Sequence, residues 1–227
     1  MARLAALPLL AVLCFAAGCG SAPSTAYQPP HPSAKAAASP AAGATPAPSA
    51  SPGKPTGALR FVFPVATGAS YGKTHSEYPA TDIFAKCGTA VRAVTDGVIL
   101  EINLVDRFDL KHPTGATKGG LSVSLLGDDG VRYYGSHLLR VQTGIKAGVR
   151  VSAGQQLGVV GHTGNASGIC HLHFGISAPC AQVDDWWIRR GVIWPAKYLD
   201  AWHKGQNLSA ISEITAWHAK HGCPKAP

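Results

Sequence analysis

Several things are scarce in this sequence, and each scarcity narrows the reading. The longest apolar run near the start, LAALPLLAVLCFAA at residues 4–17, falls short of the about 20 residues a helix needs to span a bilayer. No two cysteines stand in C-x-x-C spacing, which argues against a structural four-cysteine zinc site. No HExxH occurs, so a helix-borne metal site of that pattern is excluded. The net charge is +8, yet Lys73, Lys86, Lys111, Lys118, Arg189 and Arg190 are scattered. They are not interleaved with aromatics, as a nucleic-acid stripe would be, and no nucleic-acid partner is expected. Residues 20–57 are nearly without large apolar side chains. Such a stretch cannot bury enough surface to offset its ordering entropy.

What is present begins with an export pattern. Met1, Ala2 and Arg3 precede the short apolar core, which suits a secretory signal over residues 1–18. The AAGC stretch at residues 16–19 resembles a bacterial lipobox, with Ala16 where Leu is usual. That resemblance implies cleavage before Cys19 and a lipid on Cys19. Residues 19–57 then read as the lipidated cysteine and a Pro/Ala/Ser-rich tether. The chain is expected to be exported and lipid-anchored on the outer face of a bacterial cytoplasmic membrane, facing the wall. An exported basic domain suits anionic envelope polymers.

About 170 residues remain, enough for one domain with its own core. Short strands separated by glycine turns dominate from residue 59. LRFVFPV, 59–65, reads as a strand. Residues 89–105 read as two strands around Asp96-Gly97, a hairpin signal, and residues 119–138 repeat it around Asp129-Gly130. Residues 144–164 add short strands, and CHLHFGIS at 170–177 reads as the last. This density of turns predicts a mostly β domain, an antiparallel groove or sandwich, over residues 58–180. A long loop, 105–120, interrupts it and reads as functional or disordered. Residues 181–227 form a Trp-rich extension, expected to be helical and packed on the domain. PAKYLDAWHKG has Pro195 near its start. Residues 208–222 have Ser209 as candidate cap and Gly222 at the end. The tryptophans read as packing residues rather than sugar platforms.

Of six cysteines, Cys87, Cys170, Cys180 and Cys223 remain after the leader and Cys19. In an oxidising compartment four suggest two disulfides, and spacing alone cannot choose among three pairings. Cys87–Cys170 and Cys180–Cys223 is the favoured set. It would tie the loop after a candidate ligand to the last strand, and the C-terminal tail to that strand's end.

Five residues carry candidate chemistry: His75 and Asp82 in THSEYPATDIF, His137 in YYGSHLL, and His171 and His173 in CHLHF. On a strand, His171 and His173 point to one face, Leu172 and Phe174 to the other. Two histidines and an aspartate suit zinc with an open position, where a bound water becomes acidic and a carbonyl is polarised. Two further imidazoles can move protons or stabilise an oxyanion.

These pieces occur in the order found in a known family. THSEYPATDIFAKCGTAVRAVTDGVI, then YGSHL, then GQQLGVVGHTGNASGICHLHFGIS resemble the lysostaphin/LytM-type peptidoglycan metallopeptidases. The last two resemble the family's Tyr-x-His-Leu element and its Gly-x-Thr-Gly…His-Leu-His-Phe signature. The resemblance covers about residues 58–178. It implies a duplicated-hybrid-motif groove and one zinc ion per chain held by His75, Asp82 and His173. It also implies His137 and His171 as catalytic partners, and a monomeric endopeptidase cutting peptidoglycan stems or cross-bridges in cell-wall remodelling. One departure stands out. His75 lies seven residues before Asp82 where the family has four, so a longer loop must return it to the metal. His162 and His112 read as non-ligands, and His203, His218 and His221 as solvent-facing. The alternative is a catalytically inactive member that binds wall or activates another hydrolase.

Overall fold

The computed structural model describes residues 58–180 and 185–225. The proposed signal, Cys19 and the tether lie outside the described residues. Among them, all strand pairs are antiparallel and fall into two sheets. The larger holds β1 (Ser70–Tyr71), β2 (Thr81–Phe84), β4 (Gly97–Asn103), β5 (Ser122–Gly127), β6 (Arg132–Ser136), β8 (Arg150–Val151) and β10 (His171–Ser177), in the order β1-β2-β10-β6-β5-β4-β8. The smaller holds β3 (Ala90–Arg92), β9 (Gln156–Val160) and β7 (Leu138–Val141), in the order β3-β9-β7. The fold is mostly β, as composition and turn density predict.

Strand alternation divides the large sheet into an apolar and a polar face. Leu172, Phe174 and Ile176 of β10 join Tyr133, Val123, Leu125 and Ile99 in the core. Asp82, His171, His173, Tyr134, Ser136, Ser124 and Glu101 take the other parity. The polar face is therefore the floor on which a site can be built.

Two local expectations are corrected. Residues 59–65 form no regular strand, but they run beside residues 90–94: the Val62 N–H donates to the Val94 carbonyl, the Arg92 N–H to the Pro64 carbonyl, and Val65 bridges Val91. Phe61 and Val65 are buried, so the alternation recorded burial of an extended segment with irregular pairing. The segment around Asp96-Gly97 is not a hairpin: β3 and β4 belong to different sheets. Asp96 instead accepts a hydrogen bond from the Ala153 backbone N–H at 2.7 Å. A Cβ on Gly97 would meet the Leu126 carbonyl oxygen at 2.1 Å, so the glycine serves close strand approach. The second signal does form a hairpin, β5 to β6, with Gly130 at φ 78°.

The C-terminal extension packs on the domain with α1 (Trp186–Arg189), α2 (Ala196–His203) and α3 (Ile211–His221). Trp202 stacks on Phe61 with ring centres 5.5 Å apart and meets Tyr133 and Phe174 edge-on. Trp202 is thus a core residue. The cap position of α3 is Ala210 rather than Ser209, but Ser209 still satisfies one free N–H at the helix start. Its hydroxyl accepts from the Ile211 N–H and donates to Asp129. Fully buried Arg132 fixes α1 from below. Its guanidinium donates to Asp185 at 2.6 Å and to Glu101 at 3.0 Å, and Arg189 shares Glu101 at 3.3 Å. Disulfides join Cys87 to Cys170 and Cys180 to Cys223. Among the described residues no helix is long and apolar enough to cross a membrane.

Candidate metal centre

Sheet register builds the centre. In the β2–β10 pair, His173 lies directly opposite Asp82, and on β6 Ser136 lies opposite His173 on its other side. His171, two residues back, takes the same face beside Phe84. The Cys87–Cys170 disulfide clasps this pair just beyond Phe84 and His171. It therefore holds together the two strands that carry Asp82 and His173.

His173 Nδ1 is 3.0 Å from Asp82 Oδ1, and His75 Nε2 is 3.8 Å from Asp82 Oδ2. One ligand atom from each of the three residues falls within 4.8 Å of the others. Hydrogen bonding assigns the tautomers. A carbonyl only accepts, so His173 donates from Nε2 to the Arg190 carbonyl at 3.0 Å. In the neutral ring that leaves a lone pair on Nδ1, facing a carboxylate that is also an acceptor. Two acceptors at this distance need a positive group at the pair, either a second proton on the imidazole or a metal ion beside them. A backbone carbonyl behind a ligating imidazole is the usual support for a metal-bound histidine. On donor chemistry, the three residues fit a zinc ion.

His75 is held most loosely. It sits in the loop before β2, with its ring 4.5 Å from the Tyr78 ring and 5.2 Å from His173. Glu77 N–H approaches its Nδ1 at 3.5 Å, the outer edge of a hydrogen bond. Ligation through Nε2 takes the tautomer with the proton on Nδ1, which that contact opposes only weakly. Burial lowers the His75 pKa, with the nearby charge of His173 adding to it. Burial alone would raise the Asp82 pKa. The contact with His173 and the surrounding imidazoles outweigh it and hold the carboxyl below its usual range.

His137 and His171 form the other half of the cluster, ring centres 4.7 Å apart. His137 follows β6 with φ 63°, a left-handed conformation unusual for a residue with a side chain. Its N–H is tied to the Gly119 carbonyl at 2.9 Å. Its Nδ1 donates to the Thr163 carbonyl at 2.7 Å, and His171 Nδ1 donates to the Ile169 carbonyl at 2.8 Å. In its neutral form each ring therefore offers an acceptor Nε2. Desolvation, joined by the charges of His173 and His171, lowers the His137 pKa to about 3, so this ring is neutral near pH 7.

All five residues line one cleft of about 320 Å³. A family model described as peptidase family M23 matches residues 76–185. The chain carries an M23 peptidase domain. Asp82, His137, His171 and His173 lie inside the match, and His75 lies one residue before it. This chain is also 37% identical over 94 residues to the glycyl-glycine endopeptidase ALE-1 of Staphylococcus capitis. That match takes in 41% of this chain and 22% of the relative, so the chain spans about a fifth of that protein's length. Among solved structures it is similar to the catalytic domain of the antimicrobial peptidase lysostaphin from Staphylococcus simulans. The identity is 25% and the TM-score 0.45, over 58% of this chain and 92% of that one. It is also similar to a zinc-containing peptidase from Vibrio cholerae, 20% identical with TM-score 0.39, over 52% and 36% of the two chains.

Two walls of the cleft come from the long loop and the C-terminal extension. The long loop supplies Lys118 and Gly119. It is tied down by Asp106, which accepts from the Gly164 N–H at 2.9 Å, and by the close approach of Gly120 to Thr163. The extension supplies Trp186, Arg189 and Arg190. A Cβ on Gly175 would meet the Arg190 carbonyl oxygen at 2.3 Å, and one on Gly191 would meet the Pro79 carbonyl oxygen at 2.1 Å. Glycines at both places let the 190–191 backbone lie on β10 and against the loop carrying His75. The glycines were visible in the sequence, but their partners 15 and 112 positions apart were not. His162 and His112 do not line the cleft, and His203, His218 and His221 are exposed. His218 also lies near Cys180 and Cys223, but those thiols are joined as a disulfide.

Proposed function

We propose that this chain is a zinc-dependent endopeptidase that hydrolyses peptide bonds in peptidoglycan stems or cross-bridges. It would act in wall remodelling as an exported lipoprotein anchored through Cys19. The observation that carries the reading is the convergence of His75, Asp82 and His173, with His173 Nδ1 3.0 Å from Asp82 Oδ1 and one ligand atom of each residue within 4.8 Å of the others. One zinc ion held by His75, Asp82 and His173 would supply Lewis acidity toward a peptide carbonyl and acidify a water.

The remaining residues divide the proton work. His137 and His171 hold their Nδ1 protons on backbone carbonyls and turn acceptor Nε2 atoms toward the cleft. Each is placed to accept a hydrogen bond from the attacking water and to take its proton. Once protonated at Nε2, the same ring becomes a donor, able to stabilise an oxyanion or to return the proton to the leaving amine. The Thr163 carbonyl keeps the His137 ring from turning. The Thr163 hydroxyl in turn donates to the Leu138 carbonyl at 2.8 Å.

Mass spectrometry of products from defined wall peptides tests this. Zinc-loaded protein should release two fragments by hydrolysis of one peptide bond, and a chelator should stop release. Zinc binding without turnover on any wall peptide would replace this reading with that of a wall-binding, inactive member.

A further inference from the structure

Arg190 is a charged group in the cleft that the chemistry above does not use. It follows α1, and its guanidinium carbon lies 3.8 Å over the Tyr78 ring centre and 5.1 Å from that of Trp186. The neighbouring arginines are ion-paired: Arg189 with Glu101, and Arg132 with Glu101 and Asp185, although the Arg132 Nε also has no hydrogen-bond partner. Among the described residues no carboxylate pairs with Arg190, and its buried Nε has no hydrogen-bond partner. A half-buried cation without an anion is costly, and stacking on aromatic faces offsets only part of that cost. Its position is nonetheless fixed. The Arg190 carbonyl accepts from His173, and the backbone is pressed on Gly175 and, through Gly191, on Pro79. Tyr78 spans the gap, with its ring in contact with both His75 and Arg190. A guanidinium with no carboxylate partner among the described residues thus stands beside the ligand cluster, on the His75 side.

We propose that Arg190, seated by Tyr78 and Trp186, binds a carboxylate of the substrate, so that peptides with a free carboxylate near the cleaved bond are selected. A planar guanidinium pairs with a carboxylate through two parallel hydrogen bonds, which gives direction as well as attraction. In a peptide that carboxylate has two sources: the C terminus, or an internal acidic residue whose carboxyl is left free. The inference rests on the peptidase reading.

The test uses zinc-loaded full-chain protein and two series of synthetic wall-type pentapeptides. One series carries a free or amidated C terminus, the other a free or amidated internal acid. In one series, kcat/KM should favour the free form by about 10- to 100-fold, and that series identifies the source. Arg190→Gln should bring the ratio to near one, while Arg190→Lys, which keeps the charge but not the fork, should retain part of it. Calorimetric binding of the same peptides to metal-free protein reads the preference without turnover. If nothing is cleaved but the free form still binds more tightly and Arg190→Gln removes that difference, the peptidase reading fails and the carboxylate site stands. Equal use of free and amidated forms in both series, or a ratio unchanged in Arg190→Gln, overturns the proposal.

Discussion

His173 and Asp82 face each other across two paired strands, Nδ1 to Oδ1 at 3.0 Å, with the far nitrogen of the imidazole donating to the Arg190 carbonyl. Register sets this relationship, and the tautomer turns it into a place for a cation. His171 shares the strand face but not the arrangement. Its Nδ1 is spent on the Ile169 carbonyl, and its Nε2 stays 3.9 Å from Asp82.

The two histidines of β10 should therefore separate by experiment. His171→Ala and His137→Ala are expected to retain zinc and to lose about 10²- to 10⁴-fold in kcat, the usual worth of a positioned proton-transfer group. Zinc content by elemental analysis beside peptide turnover checks this. Loss of zinc from the His171 variant would mean that the roles are assigned wrongly.

Gly191 should be needed for the loop that carries His75. Its φ is 134°, and a Cβ there would meet the Pro79 carbonyl oxygen at 2.1 Å. Gly191→Ala is expected to cost about 1–3 kcal/mol and to weaken zinc binding by displacing residues 75–79. Chemical denaturation and zinc titration of the variant read both effects. Unchanged values in both would show that the extension does not support the loop.

The Cys87–Cys170 disulfide closes a long segment, 83 residues apart in sequence. Replacing both cysteines with serine should cost about 2–5 kcal/mol and lower zinc affinity as well, because the bond clasps the strands bearing Asp82 and His173. The Cys180→Ser/Cys223→Ser protein, whose bond lies at the tail, should lose stability with less effect on zinc. Equal effects on zinc from both double variants would contradict this.

A pH dependence follows from His137. Its pKa is about 3 in the folded, metal-free protein and about 6.5 in an unfolded chain. Above about 6.5 the ring is neutral in both states and contributes nothing to the slope. As pH falls below that value, the unfolded chain takes up a proton that the folded one refuses, so stability declines by about 1.4 kcal/mol per pH unit until pH nears 3. Denaturant titrations of metal-free wild type and His137→Gln between pH 7 and 4 should show a slope shallower by about that amount in the variant. Identical slopes would show that His137 titrates freely in the fold.

Strand patterns carried most of the legible information. The alternation in HLHFGIS assigns Leu172 and Phe174 to the core and both histidines to the opposite face, and the structure has the same division. The Asp129-Gly130 hairpin was readable because both of its strands pair locally. The Asp96-Gly97 signal misled because a turn dipeptide says nothing of which sheet the next strand joins. Residues 59–65 misled only in part, because alternation reports burial on one side, which an extended segment with irregular pairing can also satisfy. Arg190 and Tyr78 were not legible as site residues. Their contact spans 112 positions, and neither type carries a motif. The wider His75–Asp82 spacing becomes intelligible only once Tyr78 is seen folded between His75 and Arg190.

The central claim, that His75, Asp82 and His173 form a zinc site on which turnover depends, is tested most directly by zinc content and wall-peptide turnover of purified full-chain wild type and His173→Ala. The account predicts about one zinc per wild-type chain, loss of zinc and turnover on chelation, recovery of both on adding zinc back, and neither in the variant. Equal zinc content in the two proteins, or wild-type turnover that persists after complete chelation, would contradict it.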